Sequence, residues 1–208
     1  MRLYHHPMSS NARRALMTAI HLDLPLELAE VDLMNADDRR RLAELNPNGK
    51  VPVLADGDFL LWESCAIMQY LAEQVPGQTL YPQAPQARAD VNRWLFWAAQ
   101  HFAPAISVLT WEHAWKGIMG GGPADPLEVA RGERDLAECA VVLDAYLAGR
   151  SWLSGETLTL ADFAVAAPLM YSERVQLPLG QYANIQAWFA RVRQLRAWQE
   201  TEVTLIGE

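Results

Sequence analysis

A chain of 208 residues with 51% apolar and 20% charged residues is long enough for two small domains and too apolar to stay disordered. Its net charge of −8, with no long basic cluster, argues against nucleic acid or an anionic membrane as main partner. The two cysteines, Cys65 and Cys139, come without a CxxC or HExxH motif, so neither a disulfide framework nor a metal-based mechanism has support. No cationic N-terminal segment leads into an apolar run, and no apolar run approaches membrane-spanning length, so the expected location is cytoplasmic.

Residues 2–5 read as a short strand that Pro7 ends. From Ser10 onward, Ala12, Ala15, Leu16, Ala19 and Ile20 recur at spacings of three and four, one face of an amphipathic helix. "LPLELAEVDL", residues 24–33, alternates as a second strand, and a polar helical stretch follows to Leu45. "NPNGKVPVL" is a turn running into a strand, with Pro52 at the strand's first position, where a missing N–H is tolerated. "DGDFLLW" supplies a turn and another strand, so residues 53–62 read as a β-hairpin. A helix from Ser64 to Gln74 closes a β-α-β-α-β-β-α unit.

"VPGQTLYPQAPQA", residues 75–87, carries linker composition. Beyond it no strand signal is convincing. Residues 87–119 make one or two long helices, ended by "GGGPADP". Leu136, Ala140, Leu143 and Leu147 then mark a buried stripe. Thr159 and Asp162 stand three apart, the spacing of a capping box, with Leu158 and Phe163 placed to staple it. "NIQAWFARVRQLRAW" is the last strong helix. The expected division is therefore residues 1–76, a linker at 77–87, and an all-α domain over 88–208.

Taken alone, the serines of "PMSSN" read as helix caps, and the start of "WESCAI" as ordinary capping chemistry. Taken in order, "PMSSN", "NPNGKVPVL", "WESCAI", "LTLADF" and "NIQAWFARV" resemble the cytosolic glutathione transferases, in particular bacterial serine-type, theta/delta-like members. The resemblance spans nearly the whole chain. It implies a thioredoxin-like α/β N-terminal domain followed by an all-α helical-bundle domain.

The resemblance also implies a chemistry: attack by the glutathione thiolate on a small hydrophobic electrophile. A thiol of pKa about 8.5 is only about 3% ionised at pH 7. Lowering it by roughly two units requires about 2.7 kcal/mol of preferential binding to the anion. One hydrogen bond to a charged group supplies roughly 1.5–3 kcal/mol, and a helix N-terminus adds roughly 0.3–1 kcal/mol. One well-aimed hydroxyl at a helix start therefore suffices.

The resemblance places that hydroxyl at Ser9, with Ser10 as neighbour of the structural N-cap and Asn11 as a second donor. Ser10 occupies the place of the reactive residue in cysteine-type members, and Ser10 and Asn11 stay open as alternatives. Glu63 and Ser64 are expected to meet the ammonium and carboxylate of the γ-glutamyl group. The Val51–Pro52 bond is expected to be cis and to offer the Val51 backbone to the cysteinyl part, with Lys50 reaching the glycine carboxylate. Gly49 stands where some relatives carry a histidine, so part of that contact is either missing or left to Lys50 or Arg39. Met8, His101, Phe102, Ile106, Thr110 and Trp111 are candidates for the electrophile's pocket, although an aromatic stripe at helical spacing is more often core. Glutathione enters as co-substrate, no tightly bound cofactor is expected, and a homodimer is the family's usual assembly. A glutathione-dependent disulfide or peroxide reductase and a non-catalytic binding or regulatory module are the alternative readings.

Overall fold

The computed structural model describes residues 1–203. They form two compact units, one of residues 1–81 joined by residues 195–203, the other of residues 82–194. The expected division differs at both ends: helix begins at Pro85, within the expected linker, and residues 195–203 belong to the first unit.

In the first unit, β1 (Arg2–His5), β2 (Glu27–Glu30), β3 (Val53–Asp56) and β4 (Phe59–Trp62) form one mixed sheet in the order β2-β1-β3-β4. β1 and β2 run parallel, and the other two pairings are antiparallel. β2 is shorter than its alternating sequence because β1 offers only the register Arg2↔Glu27 to His5↔Glu30. Strand alternation then sends consecutive residues to opposite faces. Leu3 and Leu54 bury one face beneath α1 (Ser10–His21) and α3 (Ser64–Glu73), against Ala15, Ala19, Ile67 and Leu71. Tyr4 and Val53 turn to the other face and pack with Val31 and Leu42, the latter from α2 (Ala36–Leu45).

The C-terminal stretch returns to this unit through Arg13. Its guanidinium donates to the Trp198 carbonyl and the Thr201 hydroxyl, both at 3.0 Å, and lies 3.8 Å from the Trp198 ring centroid. Trp198 belongs to a short helix counted below as α10 (Arg196–Gln199).

The second unit is helical. The expected long helices are α4 (Pro85–Trp97), α5 (Ala103–Thr110) and α6 (Lys116–Ile118), joined by wider π-helical turns at Ala98–Phe102 and Trp111–Trp115. The first π turn stands just before Pro104, which lacks the N–H that an α-helix would use and crowds the preceding turn. α7 (Pro126–Leu147) crosses α5 at Gly132, where a Cβ would sit 3.0 Å from side-chain atoms of both Val108 and Leu109. Any larger residue there would have to push the Val108 and Leu109 side chains aside by a few tenths of an ångström.

α8 (Leu160–Ala166) opens with the Thr159–Asp162 capping box, as its spacing predicts. Asp162 is fully buried and also accepts from the Leu153 N–H and the Trp188 indole N–H, both at 2.9 Å. Trp188 lies on α9 (Ala183–Arg193), whose first amides, at Asn184 and Ile185, donate to the Asp144 carboxylate of α7 at 2.9 and 3.0 Å. Two buried or half-buried carboxylates thus satisfy helix-start amides that would otherwise lack partners. Among the described residues no helix is long and apolar enough to cross a membrane.

Candidate active site

Register alone gathers three segments at one end of the sheet. Tyr4 pairs with Val53, and Val53 pairs with Trp62. The carboxyl end of β1, the amino end of β3 and the carboxyl end of β4 therefore lie side by side. The segments beyond them, His6–Ser9, Lys50–Pro52 and Glu63–Ser64, emerge at that same end. α1 and α3 both begin there and pack against each other, so two helix N-termini bring their amides and positive dipole ends to one place.

The turn into α1 is fixed by two bonds from its own backbone. The Met8 N–H donates to His6 Nδ1 at 3.1 Å, and the Ser9 N–H donates to the His6 carbonyl at 2.9 Å. Ser9 then takes the extended backbone of an N-cap, and its Oγ accepts from the Ala12 N–H at 3.2 Å. The cap is Ser9 itself; Ser10 is the first helical residue. That bond does not use up the Ser9 hydroxyl. Accepting from Ala12 uses a lone pair and leaves the hydroxyl hydrogen to donate elsewhere. Ser10 is half-buried beside it and Asn11 is exposed on the first turn.

Asn46 organises the second segment. It ends α2, its Nδ2 donates to the Lys50 carbonyl at 2.7 Å, and its Oδ1 accepts both the N–H and the side-chain amide of Asn48 at 3.0 Å. Gly49 closes the turn at φ 61°, a conformation that L-residues avoid. Lys50 is exposed, Pro52 is buried, and the Val51–Pro52 peptide is cis.

In the third segment Glu63 precedes α3 at φ 72° and ψ 108°. Such a backbone is costly for a residue with a Cβ and persists only where the surroundings impose it. Its side chain makes no capping bond to the helix, so the exposed carboxylate stays available to a ligand. Ser64 follows as the first residue of α3 and is buried.

Both units match profiles of one family. Residues 3–79 match the glutathione S-transferase N-terminal domain and residues 103–195 its C-terminal domain. The chain belongs to the glutathione S-transferase family. It is 32% identical to glutathione S-transferase F10 of Arabidopsis thaliana over 203 residues, with 93% of each chain covered. It is 35% identical to glutathione S-transferase GstB of Escherichia coli K12 over 201 residues, with 89% of each covered. Among solved structures, the theta class glutathione S-transferase of Xanthomonas axonopodis pv. citri, with glutathione bound, superposes with a TM-score of 0.87 at 31% identity, covering 99% of this chain and 98% of that one.

The residues expected to line a transferase's electrophile pocket fall in both units. Met8 is half-buried in the first. In the helical unit Phe102 and Ile106 are core, Phe102 stacking on Trp97 with centroids 5.3 Å apart. Thr110 is buried too, its hydroxyl donating to the Ile106 carbonyl at 2.8 Å. His101 and Trp111 keep exposed surface, and His101 lines a cavity of about 270 Å³ with Pro104, Val108, Arg131, Asp135 and Cys139. Sequence reasoning missed Asn46 and the buried pair Arg13 and Arg14. The Asn-Pro-Asn-Gly string was a signal for the first, whereas the two arginines lie off the apolar face that Ala12 and Ala15 mark and carry no such signal.

Proposed function

We propose that this protein is a glutathione transferase in which Ser9 donates a hydrogen bond to the glutathione thiolate at the start of α1. The observation that carries the reading is the strand register, which sets the Ser9 cap, the Lys50–Pro52 turn and the Glu63–Ser64 helix start at one sheet end. Glutathione is a small peptide with two carboxylates and one ammonium, and that end offers a partner to each. Amides and Ser64 at the start of α3 suit the γ-glutamyl carboxylate, Glu63 its ammonium, the Val51 backbone the cysteinyl unit in the manner of an added strand, and Lys50 the terminal carboxylate. Asn11 supplies a further donor near sulfur.

Activation then needs no general base. The thiol loses its proton to solvent, and the anion is held by one charge-assisted hydrogen bond plus the α1 dipole, together enough for a shift of roughly two pKa units. A small hydrophobic electrophile completes the reaction, with Met8, His101 and Trp111 as the candidates bearing accessible surface. The proposal includes a cytoplasmic location and a homodimer. Exposed Phe96, Val141 and Val142 in one unit and Phe59, Leu60 and Trp62 in the other supply apolar surface for a second copy.

The deciding experiment follows the ultraviolet absorbance of bound glutathione thiolate against pH in the wild type and in Ser9→Ala, Ser10→Ala and Asn11→Ala. A thiol titrating about two units below free glutathione, and returning to the free value only in Ser9→Ala, supports the assignment. An unshifted thiol in the wild type rejects it.

A further inference from the structure

Where α1 packs on α3, a cation is buried with no counter-charge paired to it among the described residues. Arg14 is 1% exposed. Its Nη1 donates to the Cys65 sulfur at 3.6 Å, while Nε and Nη2, both shut away from solvent, have no hydrogen-bond partner among the described residues. A guanidinium does not shed its proton to relieve such burial. Its remaining N–H groups call for a compact, electron-rich oxygen acceptor, and a thiol sulfur is a weak substitute. Cys65 carries a reduced, half-buried thiol and stands directly after Glu63 and Ser64 in the first turn of α3.

We propose that Cys65 is a site of reversible oxidation by hydroperoxides, with Arg14 as the positioning residue that holds the oxidised sulfur. The sulfur attacks one peroxide oxygen, so an S–O bond forms as the O–O bond breaks. Two electrons pass from sulfur to the peroxide, and the thiol proton leaves with the displaced oxygen as water or an alcohol. The product, a cysteine sulfenic acid, places on the sulfur the oxygen acceptor that the Arg14 donors lack. A thiol reverses the change in two steps, first displacing water to form a mixed disulfide, then a second thiol releasing Cys65 and a disulfide. Resting on the glutathione-binding reading above, the oxidation also weakens glutathione binding, because the new oxygen draws Arg14 and the first turn of α3 together beside Ser64.

Cys139 serves as the internal comparison. It is half-buried on α7, where burial, Asp135 and Glu138 push its thiol up, and no cation bonds to its sulfur among the contacts of the described residues. The test exposes the full-length protein to hydrogen peroxide, traps sulfenic acid with dimedone, and follows each cysteine by peptide mass spectrometry. Cys65 labels at least tenfold faster than Cys139. Arg14→Met brings Cys65 down to the Cys139 rate, and Arg14→Lys restores part of the difference. Equal labelling of the two cysteines in the wild type overturns the proposal whether or not the variants fold, and so does full Cys65 labelling in a folded Arg14→Met protein. Glutathione binding, measured by calorimetry, falls after peroxide, returns with dithiothreitol, and is untouched by peroxide in Cys65→Ala. Unchanged binding at complete Cys65 oxidation overturns the regulatory half. A protein that binds no glutathione before peroxide is added refutes the functional reading, and the labelling ratio still judges the oxidation.

Discussion

Asn46 holds the backbone of Lys50: its side-chain amide donates to the Lys50 carbonyl at 2.7 Å while its own oxygen gathers both amides of Asn48. The turn that presents Lys50 and Val51 is therefore built by a residue that needs no contact with a ligand. Asn46 is buried, and removing a buried hydrogen-bonding group costs roughly 1–3 kcal/mol. Asn46→Ala is expected to lower stability in urea by that amount. Because the turn is proposed to bind glutathione away from the sulfur, KM for glutathione is expected to rise several-fold with kcat little changed. Steady-state kinetics at saturating electrophile separates the two.

Ser9 combines the cap of α1 with the proposed thiolate contact, and its substitutions divide the roles. Ser9→Ala loses the cap, worth about 1 kcal/mol, and the donor. Conjugation of an aromatic halide at neutral pH falls by tens-fold while glutathione binding persists, and activity climbs toward the wild-type level as pH approaches the ordinary thiol pKa of about 8.5. Ser9→Thr keeps both functions, and Ser10→Ala stays within about twofold of the wild type. A large loss in Ser10→Ala with none in Ser9→Ala transfers the role to Ser10.

Much of this arrangement is legible in the sequence because it rests on local rules. Period-two and helical spacings set the β-α-β order and the hairpin, Thr159 and Asp162 announce their box, and the spacing of "PMSSN", "NGKVP" and "WES" carries the family. What escapes is tertiary. An arginine within a helix reads as solvent-facing, and only the packing of α3 and the C-terminal stretch shows Arg13 and Arg14 buried. The π turns around Pro104 and Trp111 keep helical composition, so no residue pattern separates them from one long helix. Which serine caps α1 turns on a one-residue boundary, finer than spacing resolves.

Glu63 joins a strained backbone to a proposed binding charge, and two substitutions separate them. At φ 72° the strain is of order 1–3 kcal/mol, partly offset in a glycine variant by its freer unfolded chain. Glu63→Gly is therefore expected to match or exceed wild-type stability by up to about 1 kcal/mol. Glu63→Ala brings no such gain. Both lose the carboxylate proposed to face the γ-glutamyl ammonium, and both are expected to weaken glutathione binding about tenfold by calorimetry. Stability rising in Glu63→Gly with binding intact removes Glu63 from the site and leaves only its strain.

Asp162 links the stability of the helical unit to pH. Burial pushes its carboxyl up to about 6, against the pull of donors from Leu153, Thr159 and Trp188. The folded form thus binds a proton more readily than the unfolded one, whose carboxyl titrates near 3.8. The stabilising effect of that preference is complete below the unfolded value and is lost as pH rises through the folded one, a change of about 3 kcal/mol between roughly pH 4 and 6. Asp162→Ala removes the titration and leaves buried N–H groups without an acceptor, so it destabilises at every pH. The gap between wild type and variant is largest near pH 4 and narrows toward pH 7 by about 3 kcal/mol. Urea unfolding across that range checks the sign: a gap that widens with pH means the donors outweigh burial and the carboxylate is the preferred folded form.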